Sequence, residues 1–374
     1  MLPRHLAARN LLFRTGRANS RAPMTKQLIK ASAALFVTFA LIVSTGVTAQ
    51  SSKVTITRLL DHPLIGPDAD PSIGKNIQGP SLIKVPDWLP NKMGNYYLYF
   101  ADHKGLYIRL AYADSITGPW QIYKPGSLQI SDSYFTPTRP AISKETLDKM
   151  VAARQASGVQ VSHDLAKELT EPHIASPDAH IDEDNQRIVM YFHGLEGPGF
   201  QHSRVATSKD GIHFSAKEEN IGRSYMRVFP WQGMYYAISM PGQFYRSADG
   251  LTDFEEGPVL FTSDMRHSAA LVRGETLYVF WTRVGDAPES ILYSTIDISD
   301  DWDLWQESGE QILLRPETDW EGANEPVEPS VRSTAYGRVN QLRDPALFVE
   351  DGTTYLLYAI AGESGIGLAR VDFE

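Results

Sequence analysis

The chain is expected to fold as an all-β, five-bladed β-propeller with a short helical insert between blades one and two, and three observations lead there. A phrase recurs five times, from Gly79, Ser176, Tyr225, Arg266 and Arg343: a small or polar residue, a short apolar strand, a turn, an aromatic strand, then a third strand. Its runs alternate aromatic and β-branched residues with polar ones and are parted by turn residues, including Asp210-Gly211, Asp249-Gly250 and Asp351-Gly352. A small antiparallel sheet cannot bury both of its faces alone, so five of them must stack around an axis.

Taken in order, residues 1–49 read as a leader. From Met24 the chain offers a basic stretch, an apolar run from Ala31 to Val43 and the small-x-small site Val47-Thr48-Ala49, the pattern of a secretory signal cleaved near Ala49. The apolar run is too short for a stable membrane span. Residues 1–23 carry five Arg and no acid, and Met24 is read as the true start. The mature chain, 50–374, is then one propeller domain destined for the periplasm or the exterior. The segment KVTITRLL from Lys53 suits an outer strand that pairs with the last blade and closes the ring. Between blades one and two, Leu147, Met150, Val151 and Leu165 stand in a helix-friendly stretch, read as one or two short helices over the axial pocket. A second long connection, Trp302 to Gln341, is rich in acids, Pro and Gly and reads as another loop over that pocket.

Without its leader the chain holds 28 basic against 45 acidic residues, a formal charge of −17. Such a chain repels phosphate backbones, which excludes nucleic acid as a partner. It also disfavours a polyanionic substrate unless basic groups are gathered locally. There is no cysteine, so stability must come from burial.

In each blade the first strand leaves the site face and the second returns to it. This rule nominates Gln78 and His103 in blade one, Asp178, His180 and His193 in blade two, and Arg227 in blade three. It adds His267 and Arg283 from blade four, and Asp344 and Glu363 from blade five. Two or three carboxylates facing each other across an axial cavity would let one stay ionised while another keeps its proton, the division that glycoside hydrolysis needs. Arg204, Arg227, Arg283 and Arg343 form a cationic patch able to clamp a carboxylate or sulfate. Trp88, Tyr225, Trp231 and Trp281 are aromatic candidates for a sugar platform. No HExxH, CxxC, EF-hand, GxSxG, P-loop or dinucleotide pattern is present. No cofactor is therefore expected to be required, although His267 is placed to hold a central divalent cation such as calcium.

The phrases LRDPALFVEDGTTYLLYA, SPDAHID and GNYYLYF, with the Ser-x-Asp-Gly turns, resemble five-bladed propeller glycosidases of glycoside hydrolase families 43 and 117. The resemblance implies an Asp at a first-strand start as base, a second Asp that tunes or positions, and a Glu or a nearby His as acid. Carried over, it points to Asp178 and Asp344 as the carboxylates and His267 as an acid or cation ligand. Two departures stand out: Gln78-Gly79-Pro80 where blade one should offer its Asp, and Tyr225-Met226-Arg227 where blade three should offer a Glu.

The expectation is thus an exported, exo-acting glycoside hydrolase on oligosaccharides of algal or plant polysaccharides. Asp178 and Asp344 would share base and positioning roles, with Glu363, His193 or His267 donating the proton. Gln78, His103, His180, Tyr225, Arg227, Trp231 and Arg283 would bind substrate. Two rivals stand beside it. One is a polysaccharide lyase in which Arg227 or Arg283 neutralises a uronate, His193 or His103 abstracts the proton and Tyr225 acts as acid. The other is a glycan-binding propeller without catalysis.

Overall fold

Five small antiparallel sheets form the body of the protein in a computed structural model that describes residues 53–374. The leader read at 1–49 lies outside the described residues. Blade one runs Gln78–Lys84, Tyr96–Ala101, Tyr107–Ala113 and Gln121–Gln129 from axis to rim. Blade two begins Ile174–Asp182, Arg187–Gly197, Phe200–Ser208 and carries two short rim strands. Blades three and four start at Arg227–Trp231 and Met265–Arg273. Blade five runs Arg343–Glu350, Thr353–Ala359, Ile366–Phe373, and its fourth strand is Val54–Arg58 from the other end of the chain. Val54 registers with Phe373 and Arg58 with Ala369, so the segment from Lys53 closes the ring as its pattern predicts.

Strand alternation explains the stacking. In Tyr96–Ala101, Tyr97 and Tyr99 pack with Met190 and Phe192 of blade two, while Leu98 and Phe100 pack with Leu357 and Leu368 of blade five. Each interface between neighbouring blades holds one such apolar cluster, five in all. Period-two side chains therefore serve two interfaces at once.

The helical insert is present. Helix α1 spans Lys144–Ala156, starts on Ser143, whose hydroxyl accepts from the Thr146 N–H, and buries none of its residues. Helix α2, Leu165–Thr170, starts on Asp164 and buries Leu169 and Thr170. The insert meets the second long connection above the ring. The Arg332 N–H donates to the Gln160 carbonyl at 3.2 Å, the Ser333 hydroxyl donates to Glu168 at 2.6 Å, and His163 stands edge-on to Tyr336. Both long connections thus build one roof. Among the described residues no helix is long and apolar enough to cross a membrane.

Candidate active site

The site begins as a backbone feature repeated five times. At the inner end of each first strand one residue adopts positive φ: Gly79 (62°), Ser176 (52°), Tyr225 (61°), His267 (46°) and Asp344 (50°). Four of the five blades carry a register shift there, which re-aims these side chains at the axis. Left-handed backbone costs a non-glycine residue roughly 1–3 kcal/mol and persists where surrounding structure over-determines it, often at functional sites. This ring explains the blade-one departure. Gly79 holds the place of Asp344, and a Cβ there would meet the Ser176 Cα at 2.9 Å, so no carboxylate fits.

Around Asp344 the buried groups are tightly ordered. His267 Nδ1 lies 3.4 Å from Asp344 Oδ1, and the Tyr225 and His267 rings stand 4.9 Å apart. The other Asp344 oxygen and the Tyr225 hydroxyl are buried without a geometric hydrogen-bond partner. Burial first, and then the charge of Glu363, raise Asp344 from its ordinary value to about 6. Burial and the Arg266 and Arg343 guanidinium groups push His267 well down, so its ring is neutral.

Glu363 is held differently. Arg343 Nη1 donates to it at 2.8 Å, Asn76 Nδ2 at 2.8 Å, and His103 Nδ1 lies at 3.1 Å. Burial alone would raise Glu363, but His103, Arg343 and Asn76 outweigh it and bring it down to about 2. Asn76 also accepts from the His103 backbone N–H at 2.8 Å, fixing imidazole and carboxylate together. Behind them the charges alternate from Arg266 to Glu289, Arg343, Glu363 and His103, each in contact with the next.

His103 and His267 both line a cleft of about 290 Å³ under the roof, with Arg266 between the blades and Glu168 and Ser333 from the roof. Each imidazole has one nitrogen turned to its carboxylate, and the other has no protein partner among the described residues. Two histidine–carboxylate pairs therefore face one cavity, with carboxylates pushed in opposite directions.

Other nominated residues go elsewhere. Contrary to the expectation that Asp178 and Asp344 face one pocket, Asp178 stands two residues past the ring position, in the layer of Ser81 and Ala346. With His180, 2.8 Å away, it lines an axial channel of about 300 Å³ bounded by the first strands of all five blades. Burial opposes its charge, but His180, Arg227 and the Val228 N–H outweigh that and lower its pKa. Arg227 spans blades two to four, donating to the carbonyls of Ser176, Pro177 and Ser268 with its guanidinium over the Tyr225 ring. Most of its donors are spent on backbone. His193 is buried beyond Tyr225, beside His173, and burial holds it neutral. Gln78 is buried next to Gly79.

Arg283 is not brought to the cleft; it pairs with Asp286 and Glu310 at 2.9 and 2.8 Å. Arg204 pairs with Glu196. Trp231 ends its strand at the hairpin and donates to the Ile298 carbonyl, Trp88 reaches Glu183, and Trp281 is core. None of these tryptophans lines the cleft: Trp231 sits at an outer hairpin, Trp88 in the connection between two strands, and the Trp281 side chain packs into the core between blades three and four. The cation role for His267 also finds no donor set. The arginines around it repel a cation, and among the described residues no three carboxylate or imidazole groups are placed to hold one metal ion together, whereas calcium takes six to eight oxygens.

Several site residues escaped the sequence reading: Asn76, Lys104, Glu168, Arg266 and Glu289. One signal was available for Arg266. It opens its repeat phrase as Arg343 opens the next, and the two hold equivalent ring positions.

No family model matches the chain. An uncharacterized protein of Acanthamoeba polyphaga mimivirus is 36% identical over 323 residues, 79% of this chain and 83% of its own. The chain belongs to the family of that viral protein. Among solved structures, the fold of this chain is similar to that of a GH43 β-xylosidase/α-arabinofuranosidase from a compost microbial metagenome, solved with xylotriose in a calcium-free form. That likeness has a TM-score of 0.50 at 13% identity and covers 85% of this chain and 95% of the other. A putative glycoside hydrolase from Parabacteroides distasonis gives a TM-score of 0.51 at 12% identity, over 85% and 96%. At such identities the likeness establishes the five-bladed fold alone, and the fold half of the family-43 resemblance is met.

Proposed function

We propose that the protein cleaves glycosidic bonds by hydrolysis in the cleft beneath the roof. The observation that carries this reading is the pair of histidine–carboxylate units on one cavity, with Asp344 raised and Glu363 lowered. Pairs of titratable groups whose surroundings push them apart mark a division between acid and base. Neutral His267, its Nδ1–H directed to ionised Asp344, accepts a proton from the attacking water on its other nitrogen. His103, backed by ionised Glu363, is the proton donor to the leaving oxygen. Asp344 and Glu363 act through these imidazoles as positioning residues. The fold shared with GH43 hydrolases supports the reaction class. Roof residues Arg154, Glu168, Arg332 and Ser333 wall the cleft, which favours a chain end over the middle of a polymer. Export of the mature chain from residue 50 belongs to the same proposal.

The test is incubation with oligosaccharides in heavy-oxygen water, read by mass spectrometry. A fragment that gains the heavy oxygen supports hydrolysis, and His267→Gln should lower the rate by about 10²-fold or more. A fragment lighter by one water and unlabelled would mean elimination instead. That second reading is favoured by one observation, the unpartnered Tyr225 hydroxyl beside Asp344.

A further inference from the structure

The charge of the cleft is the reverse of the charge of the chain. Its lining includes Arg154, Arg223, Arg266 and Arg332, with Glu168 as the acid among them. Glu168 is already matched, contacting Lys104 Nζ at 3.1 Å and His163 Nε2 at 3.0 Å. Arg266 is neutralised by buried Glu289, and Arg332 by Asp264 at 3.0 Å. Arg154, in the last turn of α1, and Arg223, on the rim of blade two, differ. Both are exposed, and neither side chain has a hydrogen bond or ion pair among the described residues. In a mature chain of formal charge −17, two unmatched guanidinium groups on one cleft oppose the general trend. Arg139, Arg246 and Arg338 each find a carboxylate; Arg273 and Arg315 are also exposed without one, but they stand apart on the surface, whereas Arg154 and Arg223 share the lining of one cleft.

We infer that Arg154 and Arg223 recognise an anionic group on the glycan, so that the substrate is an acidic oligosaccharide carrying a carboxylate or sulfate near its bound end. This rests on the reading of the cleft as the place where a glycan is held. Arginine's planar fork matches both groups bidentately. Contributions from two different elements, the roof helix and a blade, also mean that an acidic substrate would tie the roof to the ring.

The experiment titrates the mature protein with three probes: trigalacturonate, a sulfated galactan trisaccharide, and neutral xylotriose. Binding is followed by calorimetry and cleavage by mass spectrometry, for the native chain and for Arg154→Gln and Arg223→Gln. The expected result is that one acidic probe binds at least tenfold tighter than xylotriose, and that each substitution removes most of that advantage with xylotriose binding unchanged. Which acidic probe responds separates carboxylate from sulfate. If neither acidic probe exceeds xylotriose, or if the substitutions leave the preference intact, the inference falls, whether or not hydrolysis is seen. If an acidic probe binds with the arginine dependence but no probe is cleaved with label, the inference stands and the hydrolase reading fails.

Discussion

Asp344 is an expensive residue for the fold. Its φ of 50° and its burial both work against stability, and its carboxyl is raised to about 6. The folded state then binds more protons than the unfolded chain between about pH 4 and pH 6, so this group's contribution falls as pH rises through that window. Asp344→Asn should therefore raise the melting temperature at pH 7 relative to the native chain, with little gain at pH 3.5, while activity drops. Thermal scans at the two pH values check it. For the hydrolysis proposed above, the rate should climb with pH through about 6 as Asp344 ionises, and Asp344→Asn should abolish that limb. Glu363 has the opposite sign: lowered from 4.5 to about 2, it contributes fully above pH 4.5 and less as pH falls through 2. Removing its charge leaves Arg343 to the more distant Glu289 at 3.4 Å, so Glu363→Gln should destabilise by about 1–3 kcal/mol, measured by denaturant unfolding. These pairings were only half legible in the sequence. Asp344, Glu363, His103 and His267 could be nominated because they flank apolar strands. The pairing of His267 with Asp344 across two blades, and the exile of Asp178 to the channel, depend on a two-residue offset past the bulge that no local pattern records.

At the level of elements, the strands could be read from alternation and turns because each blade solves the same local problem. The roof could be read as two insertions, since neither fits the blade phrase. Their meeting was hidden, because the link runs through single side chains from segments more than a hundred residues apart: Glu168 to Ser333 and His163 to Tyr336. Helix α1 buries nothing and carries the exposed pairs Lys144–Asp148 and Glu145–Lys149, each worth about 0.3–0.5 kcal/mol. The roof is thus held mainly at α2. Glu168→Gln should loosen it selectively: amide exchange in 143–170 and 330–336 should speed up by about tenfold, while blade amides stay protected. Equal acceleration in the blades would show that the roof and ring open together.

For the whole molecule, stability is a matter of the closed ring. Arg58 in the closing strand donates to buried Glu321 at 2.8 and 2.9 Å, and to the Arg315 carbonyl at 2.7 Å. Tyr358 of blade five also donates to Glu321 at 2.9 Å. Arg58→Met leaves that buried carboxylate with neutral donors alone, the Tyr358 phenol and the Glu317 and Thr318 N–H groups, and should cost about 3–5 kcal/mol. Lys53→Met, which removes an exposed pair to Glu374 at 3.8 Å, should cost under about 1 kcal/mol. Unfolding curves for the two variants side by side decide whether the seam or the surface charge matters.

The seam also sets a timetable for the molecule's birth. The strand at Val54–Arg58 leaves the ribosome first among the blade strands, yet its partner at Ile366–Phe373 leaves last. Throughout synthesis the early strand waits with one edge bare, and the growing body is an open horseshoe. The Glu363 carboxylate of blade five and the His103 imidazole of blade one, 3.1 Å apart across the gap, meet only when that horseshoe shuts. A chain stopped before Ile366 would carry four finished blades and only one of the two histidine–carboxylate pairs.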